Sequence, residues 1–354
     1  MIVLGIETSC DETCSAVLEY SENQQCNILS NTVHSQISEH TEYGGVVPEI
    51  AARSHINSID LVIQKSIRDA NINFSSLDAI AVTSGPGLKG GLLVGVTFAK
   101  TMASILKKPL LGINHLEGHA LTIRITEKIK FPYLLLLVTG GHTQLLIVKG
   151  VGHYERLGTT IDDALGEAYD KIAKSLNLGY PGGPIIEKLA EGSDGSTVSL
   201  PRPLHNSKEM NFSFSGLKTA VKREIDSSLP LNEKSLSNIC AAFQASVIDI
   251  LKNKLQMAVD YFKEKYSEDI NVVLAGGVAS NKTIFAAISE LSLKKNFHVY
   301  VAPKELCTDN AAMIAWAGIE RINSGNHDPE RVNIRTRWPL DENAVKVRGA
   351  GVKA

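Results

Sequence analysis

The sequence predicts an α/β fold of two duplicated halves flanking a cleft, and three observations lead there. Two well-separated segments, residues 2–20 and 133–148, read as β-hairpins with small polar tips. Each is followed at a distance by a strand that runs into a glycine pair and then a helix, around residues 79–106 and 271–293. The same β-β…β-loop-α plan therefore occurs twice in the same order, which indicates duplication of one α/β unit.

In chain order, apolar residues 2–6 lead into the tip Glu7-Thr8-Ser9-Cys10-Asp11-Glu12-Thr13, and residues 14–20 resume strand character. Small and polar residues between two apolar runs are hairpin-turn chemistry. Residues 46–70 carry apolar side chains at near-helical spacing after Pro48, a residue tolerated in a first helical turn. Residues 79–83 are the next strand, 84–91 a glycine-rich loop, and 92–106 a helix. The second half repeats the hairpin at residues 133–138 and 144–148, around the tip Thr139-Gly140-Gly141-His142-Thr143. Residues 191–216 are rich in Ser, Gly and Pro and read as a long inserted loop, a length that often marks a lid or binding element. The apolar face of residues 240–262 is wide enough for a buried helix. A strand at 271–274, the turn at Gly276-Gly277 and a helix at 282–293 complete the echo, and a strand at 298–302 follows. Thr308 is the expected N-cap of a helix over 309–322, closed by Ser324-Gly325. The expected division is residues 1–114 with 309–335 as the N-terminal lobe, 115–308 as the C-terminal lobe, and 336–354 as a tail.

The 354 residues, 44% hydrophobic and 21% charged, allow two ordinary domains and exclude a disordered or collagen-like chain. No apolar stretch reaches the roughly 18 residues needed to span a bilayer. The start reads as a strand rather than a leader, so a cytoplasmic protein with no membrane partner is expected. The five cysteines, Cys10, Cys14, Cys26, Cys240 and Cys307, are scattered and odd in number, which fits reduced thiols better than disulfides. Cys10 and Cys14 lack the second pair that a zinc site needs. A net charge of −2 gives no general attraction for phosphate backbones, so a nucleic-acid partner needs a local patch or a companion subunit. Arg331, Arg335, Arg337, Lys346, Arg348 and Lys353 form one such patch, or a solvated tail.

The sharpest chemical signal is Asn114-His115-Leu116-Glu117-Gly118-His119. On a helix His115 and His119 share a face at i, i+4, a geometry suited to a transition metal. Glu117 lies about 200° round the helix from His115, which disfavours a zinc protease, where the Glu directly follows the first His. Asp309, at a strand-to-helix junction, is a candidate third ligand or a first-turn acid favoured by the helix dipole. Two His and one carboxylate with open positions suit Fe(II) or Zn(II). The bulk-free turn at Gly140-Gly141 would let backbone N–H groups approach a phosphate, and Gly276-Gly277 would admit a nucleobase or ribose. No Walker A pattern occurs. Asp11 and Glu12 are adjacent acids on the first hairpin tip that could act as general base or position substrate across the cleft, or be ordinary exposed turn acids.

Together these pieces resemble the tRNA threonylcarbamoyladenosine transferase family, formerly labelled O-sialoglycoprotein endopeptidases. The resemblance rests on residues 5–13, Gly44-Gly45-Val46-Val47-Pro48-Glu49, Gly85-Pro86-Gly87-Leu88, His115-Leu116-Glu117-Gly118-His119 and residues 137–141. It continues through Tyr180-Pro181-Gly182-Gly183-Pro184, Phe212-Ser213-Phe214-Ser215-Gly216-Leu217-Lys218 and Thr308-Asp309-Asn310-Ala311-Ala312. It implies two ribonuclease-H-like lobes of the actin/Hsp70/sugar-kinase ATPase type with an interlobe cleft. It also implies transfer of threonylcarbamoyl from threonylcarbamoyl-AMP to N6 of the tRNA adenosine just 3′ of the anticodon (position 37), in tRNAs reading codons that begin with A. By motif, His115, His119 and Asp309 would hold one divalent metal per subunit, Fe(2+) or else Zn(2+). Leu137, Val138, Thr139, Gly140, Gly141, Asp170, Gly183, Glu187 and Asn281 would contact the adenylate, Glu187 replacing an Asp common in the family. The first-loop acids Asp11 and Glu12 would have a catalytic part, one or the other of them acting, and an acid from the opposite lobe would take the N6 proton. Implied partners are tRNA, an inactive paralogue of the same fold and a small ATPase subunit. The competing readings are an actin-fold kinase for a small metabolite and a non-catalytic scaffold paralogue.

Overall fold

The computed structural model describes residues 1–21, 23–325 and 332–347. Among the described residues ten strands build two sheets: β1 (Ile2–Glu7), β2 (Glu12–Tyr20), β3 (Cys26–Ser35), β4 (Ala79–Gly85) and β5 (Leu110–Asn114) in one, and β6 (Tyr133–Val138), β7 (Thr143–Gly150), β8 (His153–Thr159), β9 (Asn271–Ala275) and β10 (His298–Val301) in the other. The orders are β3-β2-β1-β4-β5 and β10-β9-β6-β7-β8, which match when one is read backwards. In each sheet a hairpin, β1–β2 or β6–β7, pairs antiparallel, and its first strand pairs parallel with the later strand, β4 or β9. The echo heard in the sequence is a true repeat of topology.

The chain divides into two compact units. The first comprises Met1–Ile129, Gly150–His153 and Ala302–Glu342; the second comprises Lys130–Lys149, Tyr154–Val301 and the chain from Asn343. The boundary thus falls at 129/130 rather than at 114/115, because the helix of His115 packs on the helix Ala311–Asn323 of the first unit. Of the basic residues singled out near the end, Arg331, Arg348 and Lys353 lie outside the described residues.

Each unit buries its own core. In the first, Leu4, Ile6, Val17, Val82, Val96 and Val332 meet the apolar face of the helix Pro48–Asp69. That helix opens on Pro48, whose missing N–H costs nothing in a first turn. In the second, Leu134, Leu136, Ile147, Phe212 and Phe243 close around the helix Glu233–Lys265. No helix among the described residues is long and apolar enough to cross a membrane.

The 191–216 segment is not a free lid. Lys254, fully buried on the helix Glu233–Lys265, donates from Nζ to the carbonyls of Leu204 (2.6 Å), Ser207 (3.3 Å) and Glu209 (2.8 Å). One ammonium therefore satisfies three loop carbonyls, as its three donors permit. Lys254→Met should leave those carbonyls without their donor and lower stability by on the order of 3 kcal/mol. Urea titration measures the loss, and limited proteolysis should find new cleavage between residues 195 and 210; an unchanged midpoint and digest would refute the clamp.

The last helix of the first unit starts later than expected. Its N-cap is Asn310, whose Oδ1 accepts the Met313 N–H (3.0 Å), not Thr308. Asp309 therefore stands outside the helix instead of within its first turn, which frees its carboxylate to turn toward other partners.

Candidate metal centre

The helix His115–Leu121 follows β5 directly and is capped by Asn114, whose Oδ1 accepts the Leu116 N–H (2.9 Å). All seven of its residues are buried. Gly118, between the two histidines, lies against Met313 and Ile314: a Cβ there would stand 2.9 Å from Ile314 Cδ1. Glycine is what lets this helix approach the helix Ala311–Asn323 closely enough to bring the histidines beside Asp309.

His119 Nε2 lies 3.1 Å and His115 Nε2 3.5 Å from the same oxygen, Asp309 Oδ1. The three donor groups lie within 4.8 Å of one another. Two ligand atoms about 2.1 Å from one ion at a tetrahedral angle stand roughly 3.4 Å apart, so these separations suit a divalent cation. The donor chemistry, two imidazoles and one carboxylate, fits Fe(II) or Zn(II).

Behind His115 stands Glu7, at the end of β1 and 1% exposed. Its Oε2 accepts from His115 Nδ1 (2.9 Å) and from Thr83 Oγ1 (2.5 Å), and its Oε1 accepts from Ser9 N (2.5 Å). Such an outer carboxylate fixes the imidazole tautomer and would turn the Nε2 lone pair toward a bound ion. Burial pushes Glu7 toward neutrality, yet the charge and hydrogen bond of His115 prevail and hold its carboxyl below the usual range. For His115 burial opposes ionisation, but Asp309 and Glu7 raise its pKa well above the ordinary imidazole value. Asp309, likewise pushed up by burial, is pulled well below the carboxylate range by His115 and His119. A pocket that stabilises positive charge between two carboxylates is suited to a cation. His119 Nδ1, by contrast, is buried without a hydrogen-bond partner among the described residues, so there only one of the two imidazoles is braced from behind.

Glu117 points away from this pocket, as its position on the helix requires. It is fully buried, and it accepts from Arg321 Nε (2.6 Å) and from Gly152 N (2.9 Å). A second ion pair, Arg124–Glu320 at 2.6 Å, joins the same neighbourhood of the chain to the same helix. These pairs brace the histidine helix against the helix that follows Asp309.

Asp11 and Glu12 lie in the first unit with the histidines, whereas Gly140 and Gly141 belong to the second. Asp11 is buried rather than an exposed turn residue, and its carbonyl accepts the Gln36 N–H (3.0 Å). Burial, then the charges of Asp309 and Asp11, raise the Glu12 carboxyl well above its usual range, and its side chain is hydrogen-bonded to Asp11. Two such carboxyls can share one proton. His55 secures this loop from below, with Nδ1 2.8 Å from Thr13 Oγ1 and Nε2 3.1 Å from the Cys10 carbonyl.

The remaining expected site residues lie in the second unit. Leu137, Val138 and Thr139 are buried, whereas Gly140 and Gly141 open onto free space. The Gly141 N–H is directed at Thr139 Oγ1 (3.2 Å), so of the two expected backbone donors that of Gly141 is already engaged. Gly276 (φ +94°) lies against this tip, where a Cβ would stand 2.4 Å from the Val138 carbonyl; its glycine is required by packing. Asp170 Oδ1 accepts the Gly182 N–H (2.8 Å), next to Gly183. Glu187 Oε1 accepts the Lys282 N–H (2.7 Å), and Asn281 caps the same helix, Lys282–Lys295, through Ile284 N (2.9 Å). Structure thus gathers Glu187 with Asn281 at one helix start and Asp170 with Gly183 at one turn. Asn281 also donates from Nδ2 to Gln244 (3.2 Å), so its side chain already has a structural task.

A family model described as tRNA N6-adenosine threonylcarbamoyltransferase matches residues 27–316. Curated proteins of that name from Bartonella bacilliformis and Brucella suis are each 52% identical to this chain, with 99% of this chain and 98% of the relative aligned. Among solved structures, HypF of T. kodakarensis has a TM-score of 0.60 at 15% identity, covering 93% of this chain and 48% of that one. A full-length HypF in a phosphate- and nucleotide-bound form has a TM-score of 0.58 at 14% identity, covering 93% and 47%. At such identities these last two speak for the fold alone, which is the two-lobed type shared by actin, Hsp70 and sugar kinases.

Proposed function

The chain belongs to the tRNA N6-adenosine threonylcarbamoyltransferase family and is a transferase of tRNA modification, and from that premise we propose that it takes threonylcarbamoyl-AMP as donor and N6 of adenosine 37 as acceptor. The observation that carries the reading is the convergence of His115, His119 and Asp309 on one point in the unit that also holds the carboxyls of Asp11 and Glu12.

An adenosine amine is a weak nucleophile, so it needs both an activated acyl donor and a base. N6 attacks the carbamoyl carbon of the mixed anhydride, the bond from that carbon to the phosphate oxygen breaks, and AMP leaves with the electron pair. The N6 proton passes to a carboxylate of the Asp11–Glu12 pair, acting as general base. A divalent cation held by His115, His119 and Asp309 would supply Lewis-acid polarisation of phosphate and carbonyl oxygens. Glu7 keeps His115 aimed, and the Glu117–Arg321 pair keeps its helix in place. In the second unit the tip at residues 137–141, Asp170, Gly183, Glu187 and Asn281 contact the adenylate. Because Gly141 is committed to Thr139, the donor offered at that tip is the Gly140 N–H. Turnover in the cell involves an inactive paralogue and a small ATPase.

Depletion of the protein should strip threonylcarbamoyladenosine from tRNAs that read codons beginning with A, as nucleoside analysis by mass spectrometry would show. An unchanged level of that nucleoside after depletion would sink the reading.

A further inference from the structure

We propose that residues 335–338 form an RNA-docking strip beside the metal centre, with Arg337 receiving a phosphate of the tRNA anticodon loop and the Arg335–Trp338 stack offering it an aromatic surface. The inference rests on the tRNA reading above and adds where the RNA sits.

The strip is anchored, not trailing. Val332 is buried in the core of the first unit and Ile334 packs against it. The Arg335 N–H donates to the Ser84 carbonyl (2.7 Å), the Thr336 carbonyl accepts the Gly87 N–H (3.4 Å), and the Trp338 carbonyl accepts Asn114 Nδ2–H (3.0 Å). Gly85 (φ +147°) permits the approach, since a Cβ there would stand 1.8 Å from the Arg335 carbonyl oxygen. Two of these anchors lead straight to His115. Asn114 is the cap of the His115 helix. Gly87 packs on Ser9, whose Oγ lies 3.1 Å from His115 Nδ1.

The side chains of the strip face outward with cationic character. Arg335 and Arg337 are both exposed. The Arg335 guanidinium stands over the Trp338 ring, 4.6 Å from its centroid, and is held 2.9 Å from Glu342, which also accepts the indole N–H (3.1 Å). Arg337 makes no hydrogen bond or ion pair among the described residues. An unpaired arginine beside an arginine–tryptophan stack can offer a phosphate contact and an aromatic surface together, the combination that single-stranded RNA loops use.

Electrostatics favours such a strip. Glu7, Asp11, Glu12 and Asp309 surround the site, and the chain carries a net charge of −2. A polyanion brought to that pocket is repelled unless cations at its edge offset the carboxylates. The strip supplies arginines one hydrogen bond from the cap of the histidine helix.

The test uses the full-length chain in the complex purified from cells, with a fluorescent anticodon stem-loop RNA and full-length tRNA as probes. Arg337→Glu should weaken stem-loop binding about tenfold near 0.1 M salt and reduce the salt dependence by about one phosphate contact. It should raise KM for tRNA while leaving kcat at saturating tRNA unchanged, and Arg337→Gln should show a smaller shift in the same direction. Lys128→Glu, an equal charge change at an exposed position, should alter binding by no more than about twofold. Equal losses in the two charge reversals, unchanged KM for Arg337→Glu, or no stem-loop binding by the wild-type complex would each overturn the strip. A wild-type complex that binds the stem-loop through Arg337 yet transfers no threonylcarbamoyl group would leave the strip standing and overturn the reaction instead.

Discussion

His119→Ala is expected to abolish cation binding and threonylcarbamoyl transfer together while leaving the fold intact. His119 Nε2 is one of two nitrogens aimed at Asp309 Oδ1, and its other nitrogen has no hydrogen-bond partner among the described residues to lose. Removing one of three ligands should weaken metal binding at least about a thousandfold, on the order of 4 kcal/mol. His115→Ala should show the same loss of metal and activity and, in addition, a lower melting temperature. There the deletion strands the buried carboxylate of Glu7, which loses the imidazole at 2.9 Å, and such a group costs about 1–3 kcal/mol. Metal content after dialysis, transfer rate and thermal unfolding, measured side by side, separate the two effects. A metal-free His119→Ala protein with wild-type transfer would contradict the assignment.

Glu7→Gln should weaken the same site without removing a ligand. The carboxylate takes donors from Ser9 N, Thr83 Oγ1 and His115 Nδ1 at once. A glutamine amide has one acceptor oxygen and an NH2 that meets a donor face to face, so at least one of the three goes unsatisfied. Loss of an outer carboxylate of this kind costs about 10–100-fold in metal affinity. Activity should therefore fall at limiting metal and return when metal is added in excess, which separates Glu7 from His119. Isothermal titration of the metal-stripped variant reads the affinity directly. An affinity equal to wild type would show that Glu7 has no part in aiming His115.

Much of this was legible beforehand because the signals were local. The hairpins around Glu7–Thr13 and Val138–Thr143 declare themselves through small polar tips between apolar runs. The i, i+4 histidines follow from helix geometry alone, and so does the divergence of Glu117. Asp309 was open to two readings because a carboxylate just before a helix and one inside its first turn look alike in sequence. The choice was made by Asn310, one residue on, which takes the cap through Met313 N and releases Asp309. Glu7 received no role because nothing in the sequence says which acid of a polar tip is buried; the available clue was a carboxylate ending an apolar strand, a place where burial demands partners. Lys254 and Arg321 were silent for the same reason, since their partners lie 45 or more residues away. Gly141 shows the limit from the other side: glycine signals room for a ligand, but only the fold reveals that Thr139 already occupies its N–H.

Anomalous diffraction at the iron and zinc edges from crystals grown with metal tests the central claim most directly. The expected result is one peak at a coordination distance of about 2.1 Å from His115 Nε2, His119 Nε2 and a carboxylate oxygen of Asp309. A peak at other residues, or these three side chains intact around ordinary water in metal-saturated protein, would contradict it.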